Sequence, residues 1–153
     1  KKKKKKKKKN SNNNNNNKHN NNNNNNTKMG VKKTVLRKGD GQTRPCRGDV
    51  LQMHYVGTFA ADGRKFDSSR DAGAPLTFQI GVGQVIRGWD EGVLLMELGE
   101  KAKLEISSDF GYGRQGAGNV IPPNADLIFV VELVAINGLK APQDDTLMYG
   151  AGL

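Results

Sequence analysis

Segments in which apolar and polar residues alternate follow one another through most of this chain, and glycine-rich turns separate them. The clearest segment covers 50–59, where Leu51, Met53, Tyr55 and Phe59 share one parity. Alternation with a period of two is typical of strands that bury one face. The other segments predicted to be extended are 31–36, 64–67, 76–80, 101–106 and 127–136. The pattern therefore predicts a β-sheet with one apolar face.

One segment departs from this alternation and predicts a helix. Between positions 86 and 96, apolar residues that include Trp89 and Val93 recur every three or four positions, which is the period of a helix. Gly88 and Gly92 each weaken such a helix by ~1 kcal/mol relative to alanine, so it must be short. Several strands and one short amphipathic helix indicate an α+β domain, in which an antiparallel sheet packs its apolar face on the helix.

The first 28 residues contain only Lys, Asn, Ser, His and Thr. Such a segment has too little apolar surface to offset the entropy of ordering the chain, so we predict no structure for it. Eleven of the 25 Lys and Arg residues and none of the 15 acids lie in this leader, so it carries the positive charge of the chain, and the remaining residues are nearly neutral. Attraction to nucleic acid would be weak, salt-sensitive and confined to the leader. The expected organisation is a leader at 1–28, a domain at 29–139 and a flexible tail at 140–153.

The sequence leaves the origin of the leader open. It is either a native asparagine-rich extension or sequence upstream of a true start at Met29. In the second case Gly30 would begin a short N-myristoylation pattern that ends at Thr34. The same residues also fit the first predicted strand.

Cysteine usage and hydropathy limit the compartment. Cys46 is the only cysteine, so no disulfide forms within the chain, and no Cys/His cluster indicates a metal. No apolar run reaches the ~18 to 20 residues of a membrane span, and no apolar stretch of a secretory signal follows the lysine run. We therefore expect a cytoplasmic protein, with the nucleus as a second location.

Six motifs occur in one order along the domain. They are HYVG at 54–57, GRKFDSSR at 63–70, VIRGWDEGV at 85–93, FGYG at 110–113, VIPPNA at 120–125 and LIFVVEL at 127–133. In order and spacing they resemble the FKBP family of tacrolimus-binding immunophilins, which are peptidyl-prolyl cis-trans isomerases. The resemblance runs from about Met29 to Leu139 without a large gap and indicates the small single-domain type.

The resemblance implies a curved sheet of five or six antiparallel strands wrapped around one short α-helix, with a prolyl pocket between them. Trp89 would form the pocket floor. The Tyr112 hydroxyl and the Ile121 backbone N–H would bind carbonyl groups of substrate or drug, and the Gln84 backbone carbonyl would make a further contact. The implied wall residues are Tyr55, Phe66, Phe78, Val85, Ile86 and Phe129.

Asp67 and Tyr112 are the catalytic residues that the resemblance implies. Asp67 would lie at the rim, oriented by a hydrogen bond from Tyr55 or from Arg70. Isomerisation cleaves no bond, so the implied reaction needs no nucleophile, metal or cofactor.

The implied partners are proline-containing peptides or proteins and the macrolide drugs tacrolimus and rapamycin, bound by a monomer. Leu76 stands where the best-known members have an aromatic residue, which should loosen one wall, and Gln84 stands where they often have an acid. The stretch 117–119, Ala-Gly-Asn, replaces a bulkier one that touches partner proteins of the drug complex in the family. Binding of drug is therefore the stronger expectation, and ternary complexes with calcineurin or TOR stay open.

The pocket and the leader each suggest one other function. A non-catalytic proline-peptide binding module would use the same pocket to regulate a receptor or channel, but intact Asp67 and Tyr112 favour turnover. A polyanion-binding or chromatin-associated protein would act through the lysine-rich leader and would lose its function without 1–28. A thiol nucleophile built from Cys46 and His54 is rejected, because His54 takes the strand face opposite to Tyr55.

Overall fold

The computed structural model describes residues 30–142. The leader, Met29 and the end of the tail from Gln143 lie outside this range. The predictions of an unstructured leader, a flexible tail end and a start at Met29 therefore fall outside the described residues.

Seven strands and one short α-helix make up the described part of the chain. The strands are β1 (Val31–Arg37), β2 (Val50–Phe59), β3 (Lys65–Ser68), β4 (Leu76–Gln79), β5 (Lys101–Ile106), β6 (Leu127–Ile136) and β7 (Leu139–Lys140), and the helix is α1 (Arg87–Gly92). Two 3₁₀ turns, Val93–Leu95 and Ser108–Phe110, follow α1 and β5. All strand pairs are antiparallel, in the order β1-β5-β6-β2-β3, while β4 pairs with β2 and β7 with β6. The predicted α+β architecture is confirmed.

The apolar face of the sheet forms the core against α1. Alternate residues of the three central strands, β5, β6 and β2, point inward, as their parity predicts. Leu51 and Met53 of β2, Leu104 of β5, and Val131 and Leu133 of β6 have no exposed surface. Burial of these side chains against one helix leaves the region between the sheet and α1 as the place where a pocket forms.

β2 and β6 pair along their whole length, with Gly57 opposite Phe129. A Cβ atom at Gly57 would lie 2.7 Å from Phe66 Cζ and 2.8 Å from Phe129 Cε1. The missing side chain lets these two rings approach each other across the strand. Their centroids are 5.6 Å apart at 86°, an edge-to-face contact.

The helix is shorter than the predicted range of 86–96, because α1 ends at Gly92 and continues only as the 3₁₀ turn. Gly88 is required by packing: a Cβ there would lie 2.6 Å from Ile106 Cγ2 of β5. The glycines that shorten the helix therefore let it approach the sheet.

The sheet has seven strands, where five or six were expected. The additional strand β7 has two residues, and the alternation pattern gives no signal for so short an element. Lys140, predicted as the first tail residue, pairs with Ala135 of β6. The Ala141 N–H donates to the Val134 carbonyl at 2.8 Å. The chain thus stays on the sheet for two residues longer than predicted.

One ion pair is drawn toward the core. The Lys33 Nζ of β1 lies 2.7 Å from Glu100 Oε2, and these side chains are only 16% and 4% exposed. A buried charge costs free energy unless a partner compensates it. Lys33 therefore takes an inward position on β1 that an apolar residue would ordinarily hold.

Candidate active site

A pocket of about 450 Å³ opens between the sheet, α1 and the loops that follow β4 and β5. Most of its surface comes from aromatic and aliphatic side chains, and two hydroxyls and a carboxylate lie among them. The lining residues are Tyr55, Phe66, Asp67, Leu76, Gln84, Val85, Ile86, Trp89, Tyr112 and Phe129. A largely apolar pocket with a few convergent polar groups is the usual form of a small-molecule or peptide site.

Trp89 lies at the base of this pocket and is only 4% exposed. Its position on the six-residue helix α1 places the indole against the sheet. Tyr55 and Phe129 contact it edge to face, with centroid distances of 5.0 and 5.2 Å. Such aromatic contacts fix the ring planes as well as the distance between them. The floor is therefore an apolar surface with a fixed geometry.

A hydrogen bond at the rim fixes the carboxylate of Asp67. The Tyr55 hydroxyl donates to Asp67 Oδ2 at 2.7 Å, and the Ser68 backbone N–H donates to Oδ1 at 2.8 Å. Of the two predicted partners, Tyr55 makes the contact. The Arg70 guanidinium instead donates to Glu132 Oε2 of β6 at 3.1 Å.

Both pocket tyrosines keep their protons more strongly than a free tyrosine. Burial, followed by the hydrogen bond to Asp67 and its charge, raises the pKa of Tyr55. Burial and the negative charge of Asp67 raise the pKa of the Tyr112 hydroxyl as well. Both groups are therefore hydrogen-bond donors at neutral pH.

Tyr112 is 39% exposed, and its hydroxyl makes no hydrogen bond within residues 30–142. The residue follows the 3₁₀ turn Ser108–Phe110, in the long loop that precedes β6. Its hydroxyl is thus a donor without a partner at the pocket mouth.

Three predicted site residues lie outside the pocket lining. Arg70 is turned away by Glu132, as described. Phe78 is buried behind the floor, 5.7 Å from the Trp89 ring centroid. The Ile121 backbone N–H, predicted to bind a carbonyl, already donates to the Ala117 carbonyl at 3.1 Å and closes a tight turn. This N–H is engaged within the loop of the described structure, and its binding role stays a prediction.

Two features of the site were not among the predicted contacts. Leu76 lines the pocket and is 38% exposed, where Phe78 was expected to form the wall. The backbone N–H of Ile86 donates no hydrogen bond within the described residues. Ile86 is the N-cap residue of α1, and N–H groups at a helix start lack partners in the helix. That rule supplies the signal by which the sequence could have identified it.

No group of three or more His, Cys, Asp or Glu side chains between Gly30 and Pro142 is arranged to hold a metal ion. In the same range, no helix has both the length and the apolar character needed to span a membrane.

Comparison with known proteins identifies the family. The family model for FKBP-type peptidyl-prolyl cis-trans isomerases matches residues 41–134. The chain belongs to the FKBP-type peptidyl-prolyl cis-trans isomerases. This match includes α1, the pocket floor and most of the sheet, so the predicted family, enzyme class and isomerase function are confirmed.

Individual FKBP relatives are similar over the whole domain. A peptidyl-prolyl cis-trans isomerase of Schizosaccharomyces pombe is 58% identical over 113 residues, which are 74% of this chain and 100% of the relative. FK506-binding protein 1 of Yarrowia lipolytica is 57% identical over 109 residues, 71% of this chain and 100% of the relative. The crystal structure of AtFKBP13 superimposes with a TM-score of 0.65 at 37% identity, and covers 69% of this chain and 91% of that one. The small single-domain FKBP type is thereby confirmed.

Proposed function

We propose that the pocket around Trp89 holds the prolyl ring of an X-Pro bond in a protein substrate and that Asp67 and Tyr112 act on the amide as it rotates. The observation that carries the proposal is the buried aromatic floor beneath a rim on which two protonated hydroxyls face one carboxylate. The proposed role is to assist the folding of proteins that contain proline.

The energetic demand of the reaction is modest. Amide resonance sets a barrier of ~18 to 20 kcal/mol between the isomers, and the uncatalysed exchange takes ~10 to 100 s. An acceleration of about three to five powers of ten needs roughly 4 to 7 kcal/mol of transition-state stabilisation. A pocket without a nucleophile or metal is able to supply this amount through binding alone.

An apolar pocket favours the rotating bond over the planar one. The twisted amide has lost its resonance and is less polar than either planar isomer. A dry aromatic site therefore destabilises the planar amide more than the twisted one, and only such differential binding raises kcat. The floor of Trp89, Tyr55 and Phe129 provides this environment.

The polar groups of the rim have separate roles in this proposal. The Tyr112 hydroxyl donates to a carbonyl of the substrate, because it is protonated and has no hydrogen bond within the described residues. The Ile86 N–H donates to the second carbonyl, because it makes no hydrogen bond within the described residues, whereas the Ile121 N–H donates to the Ala117 carbonyl. Asp67 orients Tyr55 and acts electrostatically on the rotating carbonyl.

Macrolide drugs are the proposed ligands of the same pocket. Relatives with 55–57% identity bear the name FK506-binding protein, and FK506 is tacrolimus. The short side chains at 117–119 present little surface to a third protein, so the proposal favours the two-component complex with tacrolimus or rapamycin over ternary complexes with calcineurin or TOR. A monomer in the cytoplasm or nucleus, where the exposed thiol of Cys46 stays reduced, fits this role.

The deciding experiment is protease-coupled isomerisation of a short X-Pro peptide by the full chain, with and without tacrolimus. We expect acceleration that the drug abolishes at one equivalent per protein chain. Drug binding without acceleration would replace the enzyme by the proline-peptide binding module. The absence of both would contradict the proposed role of the pocket.

A further inference from the structure

One carboxylate ties a pocket loop to the helix that carries the pocket floor. The loop covers 80–86, between the end of β4 and the start of α1. Asp90 of α1 accepts two hydrogen bonds from this loop: its Oδ1 lies 2.8 Å from the Gly81 N atom and its Oδ2 lies 2.9 Å from the Gly83 N atom. The pocket residues that the loop supplies are Gln84, Val85 and Ile86.

The loop backbone is shaped for this carboxylate. Gly81 and Gly83 both have φ values of +78°, in the left-handed region that side chains disfavour. Their N–H groups converge on the two oxygens of one acid. Hydrogen bonds to an ionised acceptor are roughly twice as strong as neutral ones. The Asp90 side chain therefore ties the middle of the loop to α1 with two charge-assisted hydrogen bonds, while the Ile86 carbonyl at the loop end accepts the Trp89 and Asp90 N–H groups.

The side-chain contact between Gln84 of the loop and Gln79 of β4 is weaker than the two bonds to Asp90. The Gln84 Oε1 accepts the Gln79 N–H at 2.9 Å, and the Gln84 Nε2 donates to Gln79 Oε1 at 3.2 Å. Both residues are exposed, and water competes for neutral amide hydrogen bonds at the surface. This pair closes the base of the loop but does not attach it to the helix.

The tie sets the spacing between a wall and the floor of the pocket. Asp90 is the immediate neighbour of Trp89, while the loop ends in Val85 and Ile86. Asp90 itself does not line the pocket. We propose that Asp90 is a positioning residue, which holds the loop against α1 so that wall and floor fit a prolyl ring. The inference rests on the proposed function of the pocket.

The test compares Asp90→Asn with Glu91→Gln in the full chain. Both changes remove one negative charge from α1, but Glu91 is exposed and, within residues 30–142, forms an ion pair only with Arg87, four residues earlier. In Asp90→Asn, the NH₂ group faces a backbone N–H, so at least one tie is lost. We expect amide hydrogen exchange at Gly81 and Gly83 to accelerate about 10- to 100-fold in this variant alone.

Catalysis and drug binding provide the functional readout. Asp90→Asn should lower kcat/KM and weaken tacrolimus binding about tenfold, because a small misplacement of positioning groups is costly. Asp90→Glu keeps the charge and both acceptors, and it should recover most of the loss. Glu91→Gln should match the wild-type protein in every measurement.

Two results would overturn the positioning role. In the first, exchange accelerates but kcat/KM and tacrolimus affinity stay within twofold of Glu91→Gln. In the second, Asp90→Glu is as impaired as Asp90→Asn.

If the wild-type protein shows no isomerase activity, the proposed function fails, whereas tacrolimus affinity across the same variants still decides the role of Asp90. If Asp90→Asn does not fold, the comparison of Asp90→Glu with Glu91→Gln decides instead, and an affinity loss above tenfold in Asp90→Glu overturns it.

Discussion

The Tyr55 hydroxyl and the Asp67 carboxylate form a 2.7 Å hydrogen bond across the edge of the prolyl pocket. The tyrosine belongs to β2 and the acid to β3, so the pairing of these two strands fixes the contact. The ring of Tyr55 also contacts Trp89, which forms the pocket floor. One hydrogen bond thus links the polar rim of the pocket to its apolar base.

Replacing Asp67 by Asn should lower the pKa of Tyr55. The carboxylate raises that pKa through its hydrogen bond and its charge, but burial is the largest cause and persists in the variant. Tyr55 should therefore titrate closer to the ordinary tyrosine value of about 10, yet still above it. The chain has three tyrosines, so the titration of Tyr55 is measured by the ultraviolet absorbance of tyrosinate in a protein that also carries Tyr112→Phe and Tyr149→Phe.

Asp71→Asn is the matched control for this titration, since Asp71 is exposed and pairs with Lys65 at 2.6 Å. Its removal should leave the Tyr55 titration unchanged. An equal shift in both variants would mean that general charge, rather than the hydrogen bond to Asp67, acts on the tyrosine.

The raised pKa of Tyr55 also predicts how stability depends on pH. Above about pH 10 the unfolded chain releases its tyrosine protons, while the folded protein retains the proton on Tyr55. The contribution to stability is therefore complete below that pH and is lost as pH rises toward the folded pKa. Urea unfolding between pH 9 and pH 11 should show a decline that is smaller in Tyr55→Phe. Parallel curves for the two proteins would contradict this account.

Removing the Tyr112 hydroxyl should impair turnover without affecting stability. The hydroxyl makes no hydrogen bond within the described residues, so Tyr112→Phe should unfold at the wild-type urea concentration. If it donates to the rotating amide, kcat should fall about tenfold with little change in KM, because one hydrogen bond of the transition state is lost. Steady-state kinetics with an X-Pro peptide make the distinction, and an unchanged kcat would exclude Tyr112 as the donor.

Gly88→Ala should destabilise the protein, although alanine favours helices. In a solvent-exposed helix, replacing glycine by alanine stabilises the helix by ~1 kcal/mol. Here the added methyl would lie 2.6 Å from Ile106 Cγ2, and overpacking of this kind costs about 1 to 3 kcal/mol. Ile106→Val in the same chain removes Cδ1, which would lie 2.7 Å from the added methyl, and should recover part of the loss in urea unfolding. A stabilised Gly88→Ala would show that α1 moves freely away from β5.

Lys33→Met should cost about 3 kcal/mol of unfolding free energy, because it leaves the buried Glu100 carboxylate without its partner. Lys32→Met is the control: its 4.0 Å pair with Glu105 is exposed, and such pairs contribute ~0 to 1 kcal/mol. The double variant Lys33→Met, Glu100→Gln should recover much of the loss. Equal effects of the two single variants in urea unfolding would argue against a special role for the buried pair.

The sheet was predictable because alternation is a local property of the sequence. The bounds of β2, Val50–Phe59, match the predicted range, and the inward residues of β5 and β6 follow their parity. Lys33 shows the limit of that rule, since its inward position depends on Glu100, which is 67 residues away. Parity indicates which face of the sheet a residue lies on, but not which residue it contacts there.

The sequence did not show the placement of three predicted site residues, because the contacts that place them are distant in sequence or depend on how a loop folds. Leu76 and Phe78 share one face of β4, yet only Leu76 reaches the pocket. Arg70 lies three positions after Asp67, but Glu132 of β6 binds it. The Ile121 N–H is occupied because its loop folds into a tight turn, which a family motif does not reveal.

The side chain that Gly57 lacks has a consequence for efforts to change ligand selectivity. The rings of Phe66 and Phe129 contact each other over that position, so any side chain there would push them apart and change the shape of the whole cavity. Leu76 is exposed and lines the same pocket, so a larger or smaller side chain at this position should alter only one wall. Libraries that diversify Leu76 and leave Gly57 untouched should yield folded variants with graded preferences for the residue beside proline.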